Sequence, residues 1–159
     1  MTIPVYDGDV PSLTTAQMIE VDRLMIEDYH IELVQMMENA GRNLAHLARV
    51  RFLGGDPRGK RVVVAAGSGG NGGGVPILAL DAPSGIDATT GSVFDPAIRA
   101  TATMTLALPK QGLGAVGVAE YVGELYLADI GLPPALYAER SVGVEVANLF
   151  AEDDIIRLA

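Results

Sequence analysis

Asp81 and Ser84, in the run ALDAPSGID at residues 79–87, have the types and spacing best suited to chemistry. Asp81 closes an apolar run, and in a parallel sheet ligands bind beyond the carboxyl ends of the strands. A carboxylate at that edge is partly withdrawn from water and suits acid–base work. Pro83-Ser84-Gly85 predicts a tight turn that would hold the Ser84 hydroxyl in fixed relation to Asp81. The plainer reading is that Asp81 only caps this turn, through the Ser84 or Gly85 amides. Asp87 is expected to cap the loop that follows.

The second chemical signal is GSGGNGGG, residues 67–74, six of them glycine. Glycines let successive backbone N–H groups converge on one point, forming a nest for phosphate or pyrophosphate. Such a nest needs no lysine, which matters in a chain of net charge −9. The loop fits neither GxGxxG nor GxxxxGK[ST]. Asn71 carries its one side-chain carbonyl, able to ligate a cation or bond a ligand, although a lone asparagine is more often a turn former.

Other chemistries are poorly supported. There are no cysteines and only two histidines, His30 and His46, which exclude disulfides and thiolate zinc sites and give no Ser-His-Asp triad. His46 reads as a surface or packing residue and His30 as a turn residue. The pairs Glu27-Asp28 and Asp153-Asp154 read as solvated faces. A pI near 4.5 argues against binding to nucleic acid or an anionic membrane. No apolar run reaches the length of a membrane span, and the amino terminus, MTIPVYDGDVPS, is unlike a secretory signal. Together with the missing cysteines, this predicts a cytoplasmic protein.

The elements that must position these residues follow from periodicity. The 159 residues suit one domain (1–159) with residues 1–12 as an irregular arm. A helix is expected from Thr14, where Thr14 and Gln17 fit a capping box and Met18, Val21 and Met25 form an apolar face. A second is expected from about Ile31 to Phe52, with Leu33, Met37, Ala40, Leu44 and Leu47 as its core face. Ala40-Gly41 in mid-helix suggests close backbone packing. Four apolar runs then read as strands: Val62–Ala66, Val75–Leu80, Thr101–Leu108 and Glu124–Ile130. Strands apolar on both faces predict an α/β fold, a parallel sheet covered by helices on each side, with both amino-terminal helices on one cover.

One connection does not fit. A parallel crossover takes at least ten to twelve residues, and only GSGGNGGG lies between Ala66 and Val75. Either the two runs form an unusual hairpin, or a segment is absent between Gly74 and Val75.

LTTAQMIEVDRLMIEDY, MMENAGR, VVVAAGSGGNGGG, LALDAPSGIDATTG, TATMTLALPKQGL and VGELYLADIGLP, in that order, resemble the NAD(P)H-hydrate epimerase family, or YjeF N-terminal domain. The resemblance runs from about Leu13 to Pro133 and implies a Rossmann-like three-layer α/β/α sandwich with a mostly parallel sheet. The family is usually longer by some dozens of residues, and the missing central segment would fall between Gly74 and Val75. Members interconvert the R and S epimers of NADHX and NADPHX at C6 of the hydrated nicotinamide, so that a dehydratase can restore the S epimer to NAD(P)H. The resemblance places the ligand loop on Gly70, Asn71, Gly72, Gly73 and Gly74, and the nucleotide-contacting acid/base on Asp81. It makes potassium (K+) the cofactor, with Asn71 and Ser84 as ligands. Gly74 stands where the family loop commonly has aspartate, and the family's third potassium ligand and second ligand loop have no counterpart here. The expected partners are NADHX and NADPHX, with no nucleic acid and no membrane. A homodimer and a fused or separate dehydratase are compatible with the sequence. The chief alternative is a nucleotide-binding or protein-interaction scaffold of the same fold. A nicotinamide-dependent dehydrogenase ranks third, since its fingerprint is missing.

Overall fold

Thr14 starts the first helix as its sequence predicts. In the structure, a computed structural model that describes residues 2–64 and 75–159, its hydroxyl accepts from the Gln17 amide while the Gln17 side chain accepts from the Thr14 amide. This reciprocal cap opens α1 (Thr15–Glu27), which buries Val21, Leu24 and Met25. The second helix, α2, is Leu33–Arg51. It buries Met36, Ala40, Asn43 and Leu47, whereas Leu33 and Met37 point outward. The buried stripe is thus set one residue back at its start from the face expected. Nor is Gly41 tightly packed: it is exposed, and a Cβ there would meet nothing within 4 Å among the described residues.

Among the described residues, five strands form one sheet in the order β1-β5-β4-β3-β2. They are β1 (Val5–Tyr6), β2 (Leu78–Leu80), β3 (Ala102–Leu106), β4 (Glu124–Ala128) and β5 (Ile155–Leu158). The three strands β2, β3 and β4 run parallel, β5 is antiparallel to β4, and β1 pairs parallel with β5. The sheet is therefore mixed and mostly parallel, as the α/β class requires. Three expected strands are present in shortened form. Two others were not anticipated, β1 inside the supposed arm and β5 in the last residues, because runs this short are strands only through their partners.

The run Val62–Ala66 is the main departure. Residues 61–64 form no strand, and Val62, Val63 and Val64 are exposed; the rest of the run lies outside the described residues. A strand needs a neighbour for its amides and carbonyls, and the Val62–Val64 segment pairs with none among the described residues.

Alternation along the strands separates the two faces of the sheet. Ala102, Met104, Tyr126, Ala128 and Ile155 pack with Leu47 of α2. Leu127 and Ile156, on the opposite face, cluster with Val21, Leu24 and Met25 of α1. The first half of α2, through Met36 and Ala40, therefore joins α1 in one cluster, while Leu47 in its second half covers the other face. A 3₁₀ turn (Gln111–Gly114), α3 (Ala119–Val122) and α4 (Pro134–Tyr137) complete the α1 side.

The MMENAGRN stretch joins α2 to the sheet. Asn43, buried on α2, donates to the Asp129 carbonyl at 2.7 Å, and Asn39 donates to Ile130 at 3.1 Å. These bonds satisfy carbonyls just past the end of β4 that no strand reaches.

At the other end of β4, Arg51 grips Glu124 through both carboxylate oxygens, at 2.8 and 2.9 Å, and Tyr126 donates to the same carboxylate. The Arg51 bonds hold Glu124 down to about 2, against burial, with Tyr126 assisting. A depressed carboxylate stabilises the fold above its ordinary value of 4.5, and that contribution disappears as pH falls toward 2. Because Arg51 is partly solvated, Arg51→Leu should cost about 1 kcal/mol at pH 7. In urea titrations the cost should shrink between pH 4.5 and 2; a pH-independent cost would contradict the pairing.

Candidate functional site

Asp81 follows β2 directly, at the carboxyl edge of the parallel strands, where its place after an apolar run puts it. Its φ of 66° is left-handed, and Ala107, just past the end of neighbouring β3, matches it at 64°. Aspartate tolerates this region better than most residues. The Asp81 amide donates to the Met104 carbonyl at 2.7 Å, and Ala82 donates to Leu80 at 2.9 Å, which fixes the bend. The side chain is consequently aimed across the end of β3.

There one carboxylate oxygen collects every contact. Oδ1 of Asp81 accepts from the Lys110 ammonium, from the Leu106 amide at 3.3 Å and from the Thr105 hydroxyl at 3.5 Å. Among the described residues, Oδ2 accepts from none. Asp81 therefore does not cap its own turn: neither the Ser84 nor the Gly85 amide bonds to it. The two ends of the ion pair differ in exposure, with 10% of the Lys110 side chain accessible against 44% of Asp81. The lysine is enclosed and the carboxylate faces outward. Asp22, on the flank of α1, lies within electrostatic reach of both; burial pushes it up most, Lys110 opposes this, and Asp81 adds to it.

The ammonium is placed by backbone. Leu13 donates to the Pro109 carbonyl at 2.8 Å and accepts from Gln111 at 3.1 Å, a one-residue parallel bridge that pins Lys110. Leu13 is completely buried. The LTTAQ stretch thus caps α1 and anchors the lysine loop together.

The Pro83–Gly85 turn forms as expected, with Ile86 donating to Pro83 at 3.2 Å. Ser84 and Gly85 accept through their carbonyls from Ile98 and Phe94, both at 2.8 Å, which ties the turn to the later part of the same loop. Asp87 caps as predicted, accepting from the Thr89 and Thr90 amides at 2.8 Å, and these bonds draw its carboxyl below the usual range. Gly70, Asn71, Gly72, Gly73 and Gly74 lie outside the described residues. His30, exposed and left-handed at φ 53°, and His46, beside Arg49, take no part in the site.

Lys110 and Thr105 are absent from the set that the sequence nominates. The signal was the one that singled out Asp81: a polar residue just beyond an apolar strand, here in TLALPK. A cleft of about 370 Å³ runs behind Lys110, between Tyr6–Val10 and the 3₁₀ turn, but Asp81 is not on its wall.

A family model described as YjeF-related protein N-terminus matches residues 74–112, the segment carrying Asp81, Ser84, Thr105 and Lys110. A protein of Dehalogenimonas lykanthroporepellens named NAD(P)H-hydrate epimerase is 29% identical over 213 aligned residues, taking in 80% of this chain and 85% of that one. The alignment exceeds the whole length of this chain, so that relative carries several dozen residues without a counterpart here. An epimerase of Truepera radiovictrix is 44% identical over 93 residues, 58% of this chain and 39% of its own. A protein of Pyrobaculum aerophilum named bifunctional NAD(P)H-hydrate repair enzyme Nnr is 50% identical over 68 residues, 43% of this chain and 13% of its own. The chain thus spans most of the first relative and well under half of the other two. These similarities support kinship with the NAD(P)H-hydrate epimerases, carried by the YjeF-related segment at residues 74–112.

Proposed function

We propose that this chain is an isomerase that interconverts the R and S epimers of NADHX and NADPHX at C6. The observation that carries the proposal is the Asp81 carboxylate, tied down through Oδ1 and open at Oδ2, on the family-matched segment at the carboxyl edge of the sheet. The C6–OH bond opens with electron push from the ring nitrogen. The acid form of Asp81 protonates the departing hydroxyl, leaving a ring cation, a molecule of water and the carboxylate. Water then adds to either face of the cation while the carboxylate takes back the proton. One group serves both directions, and its negative charge stabilises the cation between them.

The diphosphate of the nucleotide belongs, on this reading, in the amide nest of Gly70, Asn71, Gly72, Gly73 and Gly74. Asn71 and Ser84 would hold potassium. They offer neutral oxygens, the donor type that suits a hard cation, and the ion would offset diphosphate charge. Two such ligands are few, so further oxygens must come from water or the nucleotide. A cytoplasmic setting agrees with the substrates. Among the described residues no helix is long and apolar enough to cross a membrane. The bifunctional name of the Pyrobaculum relative favours work beside a dehydratase that consumes the S epimer.

The test couples the protein to an S-specific dehydratase acting on a mixture of NADHX epimers. With this chain in potassium buffer, the mixture should be consumed completely, and more slowly in sodium. Consumption that stops when the S epimer is exhausted would overturn the proposal and favour the scaffold alternative.

A further inference from the structure

We infer that Lys110 is a positioning residue that assigns different tasks to the two oxygens of Asp81, reserving Oδ2 for the proton that the substrate exchanges. The inference rests on the epimerase reading and extends it to a residue that neither the sequence motifs nor the comparisons assign.

Three observations converge. First, the Lys110 ammonium has three N–H bonds and three acceptors: Asp81 Oδ1, the Leu106 carbonyl at 3.1 Å and the Thr105 hydroxyl at 3.5 Å. Its donors are fully committed, so none remains for a ligand. Second, Lys110, Leu106 and Thr105 all approach Oδ1. A carboxyl oxygen that accepts several hydrogen bonds is a poor place for a proton, so the exchangeable proton belongs on Oδ2. Third, the lysine is enclosed while Asp81 is partly open, so the pair presents one carboxylate oxygen outward and keeps the cation behind it.

This division matters because general acid–base catalysis depends on geometry before proton affinity. A free carboxylate can rotate and offer either oxygen, and each wrong orientation is unproductive. The chain invests in this pair: an enclosed ammonium is costly unless its hydrogen bonds are all made, and the Leu13 bridge is what lets Lys110 make them. Asp22 faces the same pair from α1 without bonding to either member among the described residues, so it is no substitute for Lys110.

The test compares Lys110→Met, which keeps the shape without the charge, Lys110→Arg, and Lys110→Ala with and without propylammonium, which replaces the atoms removed. In the Met and Ala variants kcat for NADHX epimerisation should fall about 100-fold, the scale of a small misplacement. KM should stay within about threefold, since binding is untouched. Propylammonium should restore the Ala variant at least tenfold or so, and should leave the filled Met variant unchanged. A purely structural lysine would not give this pattern. If the Ala variant does not fold, the Arg variant should still exceed the Met variant in kcat. Near-normal kcat in the Met variant, a loss confined to KM, or a loss that neither amine nor arginine relieves overturns the inference. Wild-type protein that does not epimerise NADHX overturns the functional reading, and this inference with it.

Discussion

Asp81→Asn should remove epimerase activity and leave the protein folded and able to bind nucleotide. The substitution isolates the proton-transfer role because asparagine preserves nearly everything else. Its carbonyl oxygen can accept from Lys110 and from the Leu106 amide as Oδ1 does. Asparagine also adopts the left-handed φ of 66° without added strain. What it lacks is a group that gains and loses a proton. General acid–base catalysis contributes about 10²–10⁴-fold, and loss of the negative charge beside a cation adds to that. A fall in kcat on the order of 10³-fold or more is therefore expected, with KM close to wild type and a lowered thermal midpoint, because the enclosed Lys110 ammonium loses its counter-charge. Unchanged turnover would remove Asp81 from its role.

Gly85→Ala should be the most damaging single-atom change in the site. Gly85 has φ +91°, and a Cβ there would lie 2.5 Å from Ala97 Cα and 2.6 Å from the Pro96 carbonyl oxygen. Both obstacles are backbone, so no rotamer change relieves the clash. Left-handed strain of about 1 kcal/mol and overpacking of about 1–3 kcal/mol add to an expected cost near 3 kcal/mol. In a chain of this size that lowers the thermal midpoint by about 6–12 °C. The loop can move only by breaking Phe94 N–H to Gly85 O and Ile98 N–H to Ser84 O, the bonds that hold the turn beside Asp81. Activity should fall with stability. A midpoint within a degree or so of wild type would contradict the close approach.

Local signals in the sequence were reliable where the chain satisfies itself. The Thr14–Gln17 cap, the Asp87 loop cap and the Pro83–Gly85 turn all close within a few residues, so residue type was enough to find them. Asp81 was legible because an apolar strand pointed to it. Signals failed where a distant partner decides. Val5–Tyr6 and Ile155–Leu158 are strands because each pairs with the other and β5 also pairs with β4. Val62–Val64 has the composition of a buried strand but no partner among the described residues. Lys110 was not singled out, because its meeting with Asp81 depends on the pairing of β2 with β3 and on the Leu13 bridge, both of them contacts distant in sequence. The face of α2 shifted because Asn43, which periodicity leaves outside, is buried to hold the Asp129 carbonyl.

The account centres on Asp81 removing and restoring the C6 hydroxyl of a hydrated nicotinamide. The most direct measurement follows pure R-NADHX with the purified protein, in water enriched in heavy oxygen, resolving both epimers and their isotope content. The expected result is conversion to the S epimer far faster than without protein, with solvent oxygen in every molecule of S product. Conversion no faster than the spontaneous rate, or an S product that keeps its original oxygen, would contradict it.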